Sequence, residues 1–452
     1  MAKARSRYVC TNCGTAIIRW EGRCPSCKEW DTLVEEIIDK TPSKALPSDR
    51  SNGKSPVNLS EIVSTQQSRV AIQNDPELTR VLGGGIVPGA ITLIGGQPGI
   101  GKSTLMLQLA CQLPHKVLYV SGEESAYQIK MRADRIAKKS DNCFILCETQ
   151  LEQIIRHAEE QQPEMLLIDS IQTIQSIKVE SPAGSVSQIR ECTSELQQYA
   201  KSTDTPVFVI GHITKEGSLA GPKLLEHIVD VVLQFEGDRN YIYRILRTIK
   251  NRFGSTDEIG IYEMESYGLR PVSNPSELLI SPGDEKLSGT SIASTLEGAR
   301  SLLIETQALV SQSVFGHPQR SATGFDNRRL SMLLAVLEKK CNLFFSQHDV
   351  FLNLAGGIKV TDPAIDLSIV ASLISSLNDI PIDKKICFAG EIGLSGEVRA
   401  VNRIEQRIIE ADRLGFHQIF ISKYHKKGIP KDLTIEIKMI GKLSELIELI
   451  FT

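Results

Sequence analysis

Gly96-Gln97-Pro98-Gly99-Ile100-Gly101-Lys102-Ser103 decides the fold, because it joins a glycine-rich turn to a lysine and a hydroxyl at P-loop spacing. The apolar run 90–95 ahead of it reads as a buried strand. The segment 104–111, opening at Thr104, reads as a helix with one apolar face. Glycines let successive backbone N–H groups converge on phosphate oxygens at a helix N-terminus, where aligned peptide dipoles favour anions. Lys102 is expected to reach the same phosphates, and Ser103 to hold the Mg²⁺ that bridges them. Residues Gly96 to Thr104 are thus the expected contacts of a nucleoside triphosphate. A chance glycine-rich turn is the alternative, and the order strand, loop, helix argues against it.

Two further strand ends carry acids. The run 164–170, Glu-Met-Leu-Leu-Ile-Asp-Ser, is apolar until Asp169, which is expected to orient the Mg²⁺, through a bound water. The run 117–120 leads into Ser121-Gly122-Glu123-Glu124, and one of these two acids is the expected base for an attacking water. The alternative is an acid stabilised by a helix dipole, which suits Glu124 better than Glu123. His212 closes another strand, where it can report loss of the γ-phosphate.

The chain has 452 residues, a soft prior for about three domains. Its net charge of -3 announces no polyanion partner, so any nucleic-acid surface is a local patch. No apolar run is long enough to span a bilayer, and residues 1–7 are basic without an apolar core behind them. With ten cysteines and no export signal, a reducing cytoplasmic setting is expected. Cys10-x-x-Cys13 and Cys24-x-x-Cys27, ten residues apart, fit two thiolate knuckles closing a tetrahedral Zn²⁺ site. Such a site is structural, and paired redox motifs are the alternative. Trp20 and Trp30 are expected to cover its small core. Cys111, Cys143, Cys147, Cys192, Cys341 and Cys387 sit in apolar contexts and read as buried thiols.

Residues 39–58 are rich in Pro, Ser, Lys and Asp and read as a linker. From residue 59 short apolar runs alternate with amphipathic stretches such as 152–160 and 187–200, which predicts an α/β unit with a parallel sheet. The runs 231–235 and 241–249 read as adjacent antiparallel strands. The densest basic stretch, 239–254, holds Arg239, Arg244, Arg247, Lys250 and Arg252 without an acid. It is either a solvated strand face or a charge set aimed at polyphosphate. The gaps 176–187 and 214–223 are either mobile nucleic-acid loops or ordinary surface loops. A composition shift near 280–283 starts another domain.

Taken in order, the cysteine pairs, the Gly96–Ser103 loop, Lys250-Asn251-Arg252-Phe253-Gly254 and the C-terminal part resemble the bacterial RadA (Sms) family over essentially the whole chain. The resemblance implies a RecA-like P-loop ATPase core in hexameric rings on DNA, related in behaviour to DnaB-type helicases. It implies DNA-stimulated ATP hydrolysis driving branch migration of intermediates begun by RecA, on single-stranded and branched DNA. It further implies that Glu123 is the catalytic glutamate, and that Lys250 and Arg252 reach across a subunit interface towards the phosphoryl group. Residues 281–452 resemble the proteolytic domain of Lon, through Gly356-Gly357 and the segment 390–396. Here the pattern departs. The nucleophile region reads Thr361-Asp-Pro-Ala-Ile-Asp366, and the lysine region, 402–407, contains no lysine, so no protease activity is expected. Arg320, Arg328 and Arg329 are candidate DNA contacts in that domain. The expected plan is a zinc ribbon over 1–38, a linker, a RecA-like ATPase over 59–280 and an inactive Lon-like α+β domain over 281–452. The remaining alternative is a DNA-independent regulatory ATPase that organises protein partners.

Overall fold

The computed structural model describes residues 5–10, 14–38, 69–136, 141–212, 222–237, 243–281, 287–313, 318–357, 359–425 and 433–451. Cys13, the linker, Arg239 and most of the gap 214–223 lie outside the described residues. The chain divides into two compact units, Met1–Ser273 and Asn274–Thr452.

A small antiparallel sheet, ordered β2-β1-β3, opens the first unit: β1 (Arg5–Cys10), β2 (Ala16–Ile17) and β3 (Leu33–Ile38). Two turns of one design stand on it. Gly14 N–H donates to Cys10 O at 2.8 Å, and Lys28 N–H donates to Cys24 O at 2.9 Å. Both Gly14 (φ 71°) and Lys28 (φ 61°) are left-handed, which costs a lysine about 1 kcal/mol and glycine almost nothing. Cys10, Cys24 and Leu33 form the core here, with Tyr8, Ile17 and Cys27 around them. The tryptophans do not cover it. Trp20 and Trp30 are 58% and 67% exposed and flank the bare backbone of Gly22 instead.

The rest of the unit runs α1 (Pro76–Val81), β4 (Ile91–Gly96), α2 (Lys102–Gln112), β5 (Val117–Ser121), α3 (Ala126–Ile136), β6 (Cys143–Cys147), α4 (Leu151–Gln161), β7 (Met165–Asp169), α5 (Val186–Thr203), β8 (Val207–His212), α6 (Pro222–Ile228), β9 (Val231–Glu236), β10 (Tyr243–Asn251), β11 (Ile259–Glu265) and β12 (Gly268–Pro271). Its nine-stranded sheet is ordered β12-β11-β10-β9-β4-β8-β7-β5-β6. Strands β9 to β6 in that order pair in parallel, and β9 to β12 form an antiparallel meander. Parallel strands are covered on both faces, so they read as unbroken apolar runs. The pleat then divides each run between two cores. Ile94, Val117, Tyr119 and Leu167 join the core that holds Leu105 and Met106 of α2 and Ile129 of α3. Leu93, Leu118, Val120 and Ile168 join the opposite one, with Ile154 of α4 and Ile189, Cys192, Leu196 and Ala200 of α5. The last four recur at helical spacing, one stripe of α5.

The second unit begins at Asn274, not near 281. Its first helix, α7 (Ser276–Leu279), places Leu279 in that unit's core, and Ser276 Oγ accepts from Leu303 N–H at 3.0 Å. Further strands are β13 (Thr290–Glu297), β14 (Arg300–Gln312), β15 (Arg320–Thr323), β16 (His348–Leu354) and β17 (Ile386–Ala389). After β18 (Glu391–Ile392) and β19 (Val398–Arg399), a short separate ribbon, come β20 (Gln418–Ser422) and β21 (Glu436–Ile440). The mixed sheet is ordered β15-β16-β14-β13-β17-β20-β21. Helices α8 (Asn327–Cys341), α9 (Asp366–Asn378) and α11 (Leu443–Phe451) pack on one face and α10 (Ile404–Arg413) on the other.

Two ion pairs lie where a Lon-type dyad is expected. Arg407 is fully buried; its guanidinium meets Asp362 at 2.6 Å and donates to Ser294 O at 2.6 Å. Arg329 pairs with the buried Asp366, which also accepts from Ile392 N–H at 3.1 Å. Arg329 is therefore an internal tie rather than an open DNA contact, while Arg320 and Arg328 are exposed. Removing one partner of a buried pair strands the other charge. Asp362→Ala is expected to cost about 3–5 kcal/mol, read as a lower urea midpoint of the second unit's transition. A loss under about 1 kcal/mol contradicts the pairing.

Candidate nucleotide and metal sites

The register of the sheet brings the chemistry to one edge. Gly96 lies level with His212, and Ser121 with Asp169, while Ile168 lies level with Val209, so β5 and β7 finish about two residues short of β4 and β8 at the same edge of the sheet. In open α/β sheets ligands bind outside such carboxyl ends. The loop after β4 reaches α2 through Gly101, whose φ is 119°. That backbone angle strains any side chain, and a Cβ there would also crowd Leu269 Cδ1 and Met264 Cε at 3.1 Å. Lys102 opens α2, and Ser103 and Thr104 follow on its first turn, which carries no acid. Lys102 Nζ donates to Gly96 O at 2.7 Å and to Gln97 O at 3.0 Å. Burial lowers the pKa of this ammonium to about 8, against the opposing pull of Asp169 and Glu123.

Glu123 and Glu124 part company. Ser121 Oγ accepts from Glu124 N–H at 3.0 Å and Glu123 N–H at 3.4 Å, which curls the chain beyond β5. Gly122 donates its N–H to Asp169 O at 3.1 Å, and a Cβ at Gly122 would lie 2.2 Å from Thr173 Oγ1. This close approach sets Glu123 Oε1 2.6 Å from the Ser170 hydroxyl, which donates to it, and 3.4 Å from His212 Nε2. Glu124 turns to Arg132 instead, at 2.8 Å. Asp169 is buried at the end of β7, accepts from the Tyr119 hydroxyl at 2.5 Å and is joined to Ser170 by a cis peptide.

The structure does not bring Lys250 and Arg252 to this chain's own loop. Lys250 lies opposite Val232, and Arg252 N–H donates to Asp230 O, beside the start of β4. Along the strands Arg252 is thus roughly 15 Å from Gly96, at the other end of the sheet, and Lys250 roughly 10 Å. Lys250 Nζ donates to Glu226 O at 2.5 Å and Val229 O at 2.7 Å, closing the end of α6. The Arg252 side chain is 52% exposed, 3.5 Å from Asp230. Asn251 Oδ1 accepts from Phe253 N–H at 2.8 Å, Phe253 O accepts from Arg69, and Gly254 lies against Gly83. The loop 176–187 is tied down. Gln188 Nε2 donates to Ser176 O, Val179 O and Ser181 O, and Lys178 pairs with Glu195 at 2.8 Å.

In the amino-terminal sheet the thiols of Cys10, Cys24 and Cys27 lie within 4.8 Å of one another. Cys10 Sγ is 3.6 Å from Cys27 Sγ and 3.2 Å from Thr32 Oγ1. Three converging soft donors on twin knuckles fit Zn²⁺, and Cys13 holds the fourth place in the sequence pattern. The other cysteines are less uniform than their contexts suggest. Cys192 and Cys387 are buried, Cys111, Cys143 and Cys341 partly so, and Cys147 is exposed. Sequence reasoning missed Ser170, Tyr119 and Arg132. A tyrosine inside the apolar run 117–120 was the available signal, since a buried phenol needs a partner.

Two outcomes follow from this geometry. The protein should carry about one zinc per chain, and Cys24→Ala should release it; an intact chain without metal contradicts the site. Lys102 is charged below about pH 8 and loses its proton above it. Phosphate binding favours the charged form, so mant-ATP affinity should fall as pH rises past 8, by up to about tenfold per pH unit. A flat profile to pH 9.5 contradicts a buried, phosphate-facing ammonium.

Comparison with known proteins agrees with this architecture. Residues 8–35 match the rubredoxin metal binding domain, 56–218 an AAA domain, and 306–425 the subunit ChlI of Mg-chelatase. ATP and Mg²⁺ are thus the ligands of the first unit's sheet, and Zn²⁺ that of its ribbon, and the unit is a RecA-like, ATP-hydrolysing P-loop domain. Among the described residues no helix is long and apolar enough to cross a membrane. The DNA repair protein RadA of Bacillus subtilis is 47% identical over 451 residues, with 98% of each chain covered. That of Listeria monocytogenes is 47% identical over 98% of each, and that of Streptococcus pyogenes serotype M6 45% identical over the full length of both. With a cradle, acids, cysteine knuckles and end-to-end similarity all in agreement, this chain belongs to the RadA family.

Proposed function

We propose that this chain is a DNA-stimulated ATPase motor that drives branch migration of recombination intermediates formed by RecA, as part of cytoplasmic DNA repair. The observation that carries the reading is the convergence of Lys102, Glu123, Asp169 and His212 on one edge of the sheet. Main-chain amides of the loop and Lys102 hold the β- and γ-phosphates, and Ser103 and Asp169 would hold Mg²⁺, which when bound would supply neutralisation of the phosphate charge. Glu123, oriented by the Ser170 hydroxyl, takes a proton from the attacking water. The water oxygen bonds to the γ-phosphorus as the bond to the bridging oxygen breaks, and the electron pair leaves with ADP. His212, beside Glu123, is the group that senses the departed phosphate.

The distance of the 250–254 segment from its own loop supports action in trans, in a homo-oligomer, most simply a hexameric ring around single-stranded or branched DNA. Arg252, half exposed, is the better placed of the two cations to meet a neighbour's γ-phosphate. Lys250 already serves its own α6. The second unit carries no protease activity on this reading, because Asp362 and Asp366 are held by arginines and 402–407 offers no lysine base. ATP turnover with and without single-stranded DNA tests the proposal. Wild-type protein should be stimulated. Glu123→Gln should lose about 10²–10⁴-fold in kcat with nucleotide binding kept, and Arg252→Ala should lose stimulated turnover while remaining folded. Turnover indifferent to DNA favours the regulatory ATPase organising protein partners.

A further inference from the structure

Behind the metal-holding carboxylate lies a row of side chains that the hydrolysis chemistry does not itself use. Tyr119 is fully buried at the centre of β5, and its hydroxyl lies 2.5 Å from Asp169 Oδ2. The phenol donates this bond and the carboxylate accepts it. Arg132, one turn from the end of α3, comes next. Its Nη2 lies 3.3 Å from the Tyr119 hydroxyl and 4.0 Å from Asp169 Oδ2. The same guanidinium grips Glu124 at 2.8 and 3.1 Å, with its side chain only 16% exposed.

We infer that Tyr119 and Arg132 are positioning residues for the metal site: Tyr119 fixes the rotation of the Asp169 carboxylate, and Arg132 anchors Tyr119 and Glu124 together. The terminal torsion of an aspartate is soft and nearly two-fold, so a carboxylate at a strand end needs an outside partner to keep one oxygen turned to the metal or its bound water. With Oδ2 taken by Tyr119, Oδ1 is the oxygen that would serve Mg²⁺. Arg132 acts on the neighbouring strand end at the same time. By holding Glu124 it leaves Glu123 as the one acid of the pair turned towards Ser170 and His212. A single arginine on α3 thus ties the metal carboxylate to the choice of base. The inference rests on the nucleotide site proposed above and adds to it the device that sets its metal affinity.

The test is binding, so it does not depend on turnover. The full chain is titrated with mant-ATP with and without Mg²⁺, and the Mg²⁺ concentration giving half of the metal-dependent tightening is recorded. Tyr119→Phe keeps the ring and removes only the hydroxyl. It should raise that midpoint about tenfold or more, with metal-free mant-ATP affinity and circular dichroism unchanged. Arg132→Met should shift it in the same direction, and Arg132→Lys should recover part of the loss. A Tyr119→Phe midpoint within about twofold of wild type overturns the inference, because outer partners of metal ligands ordinarily cost more. Equal weakening with and without Mg²⁺ also overturns it, because that is a general packing defect. Wild-type protein that binds Mg²⁺ and mant-ATP but never hydrolyses ATP sinks the motor reading and leaves the Tyr119 comparison standing.

Discussion

An ammonium group drawn out of water governs the first unit. Lys102 is buried, and a buried cation is tolerated only when acceptors and opposite charges surround it. Two carbonyls accept hydrogen bonds from it at 2.7 and 3.0 Å, and Asp169 and Glu123 supply the opposite charge. Those two carboxylates sit at the ends of different strands. The lysine is therefore satisfied only if β4, β5 and β7 keep this register. Register, which in a sheet is set by pairing and by which face of each strand is apolar, is thus coupled to chemistry. A one-residue slip of β5 would turn Tyr119 out of its core and carry Glu123 away from the loop.

Close backbone approach is the second constraint. Gly122 has no room for a Cβ against Thr173, and at Gly101, held at φ 119°, a Cβ would press on Leu269 and Met264. The first brings the end of β5 onto the turn after Asp169. The second brings α2 under β12. Both glycines exchange chain entropy for proximity, a trade met where a ligand must be gripped by main chain. The residues that make the nucleotide edge are consequently small ones flanked by charged ones, with little apolar surface of their own.

The second unit applies the same electrostatic rule to pairs within its own chain. Arg407 and Asp362, and Arg329 and Asp366, each bury charge that is paired and further hydrogen-bonded to backbone. Carboxylates held by guanidinium groups are poor nucleophile activators, since the proton acceptor's lone pairs are already engaged. These pairs instead join α10 to β13 and α8 to the head of α9, where the architecture needs fixed crossings.

By itself the sequence determined everything that depends on local spacing. The P-loop, the unbroken apolar strands, the antiparallel pair β9–β10 and three of the thiols that converge were all legible, because turn chemistry and periodicity act over a few residues. Tertiary structure decided that Glu124 pairs with Arg132 while Glu123 turns to Ser170 and His212. It also decided that Lys250 serves α6 rather than its own loop, that the two tryptophans stand in solvent, and that the second unit starts at Asn274. Arg132 for Glu124, α6 for Lys250 and Leu303 for Ser276 are partners that only the folded chain supplies, and spacing along a chain carries no record of what folds against it.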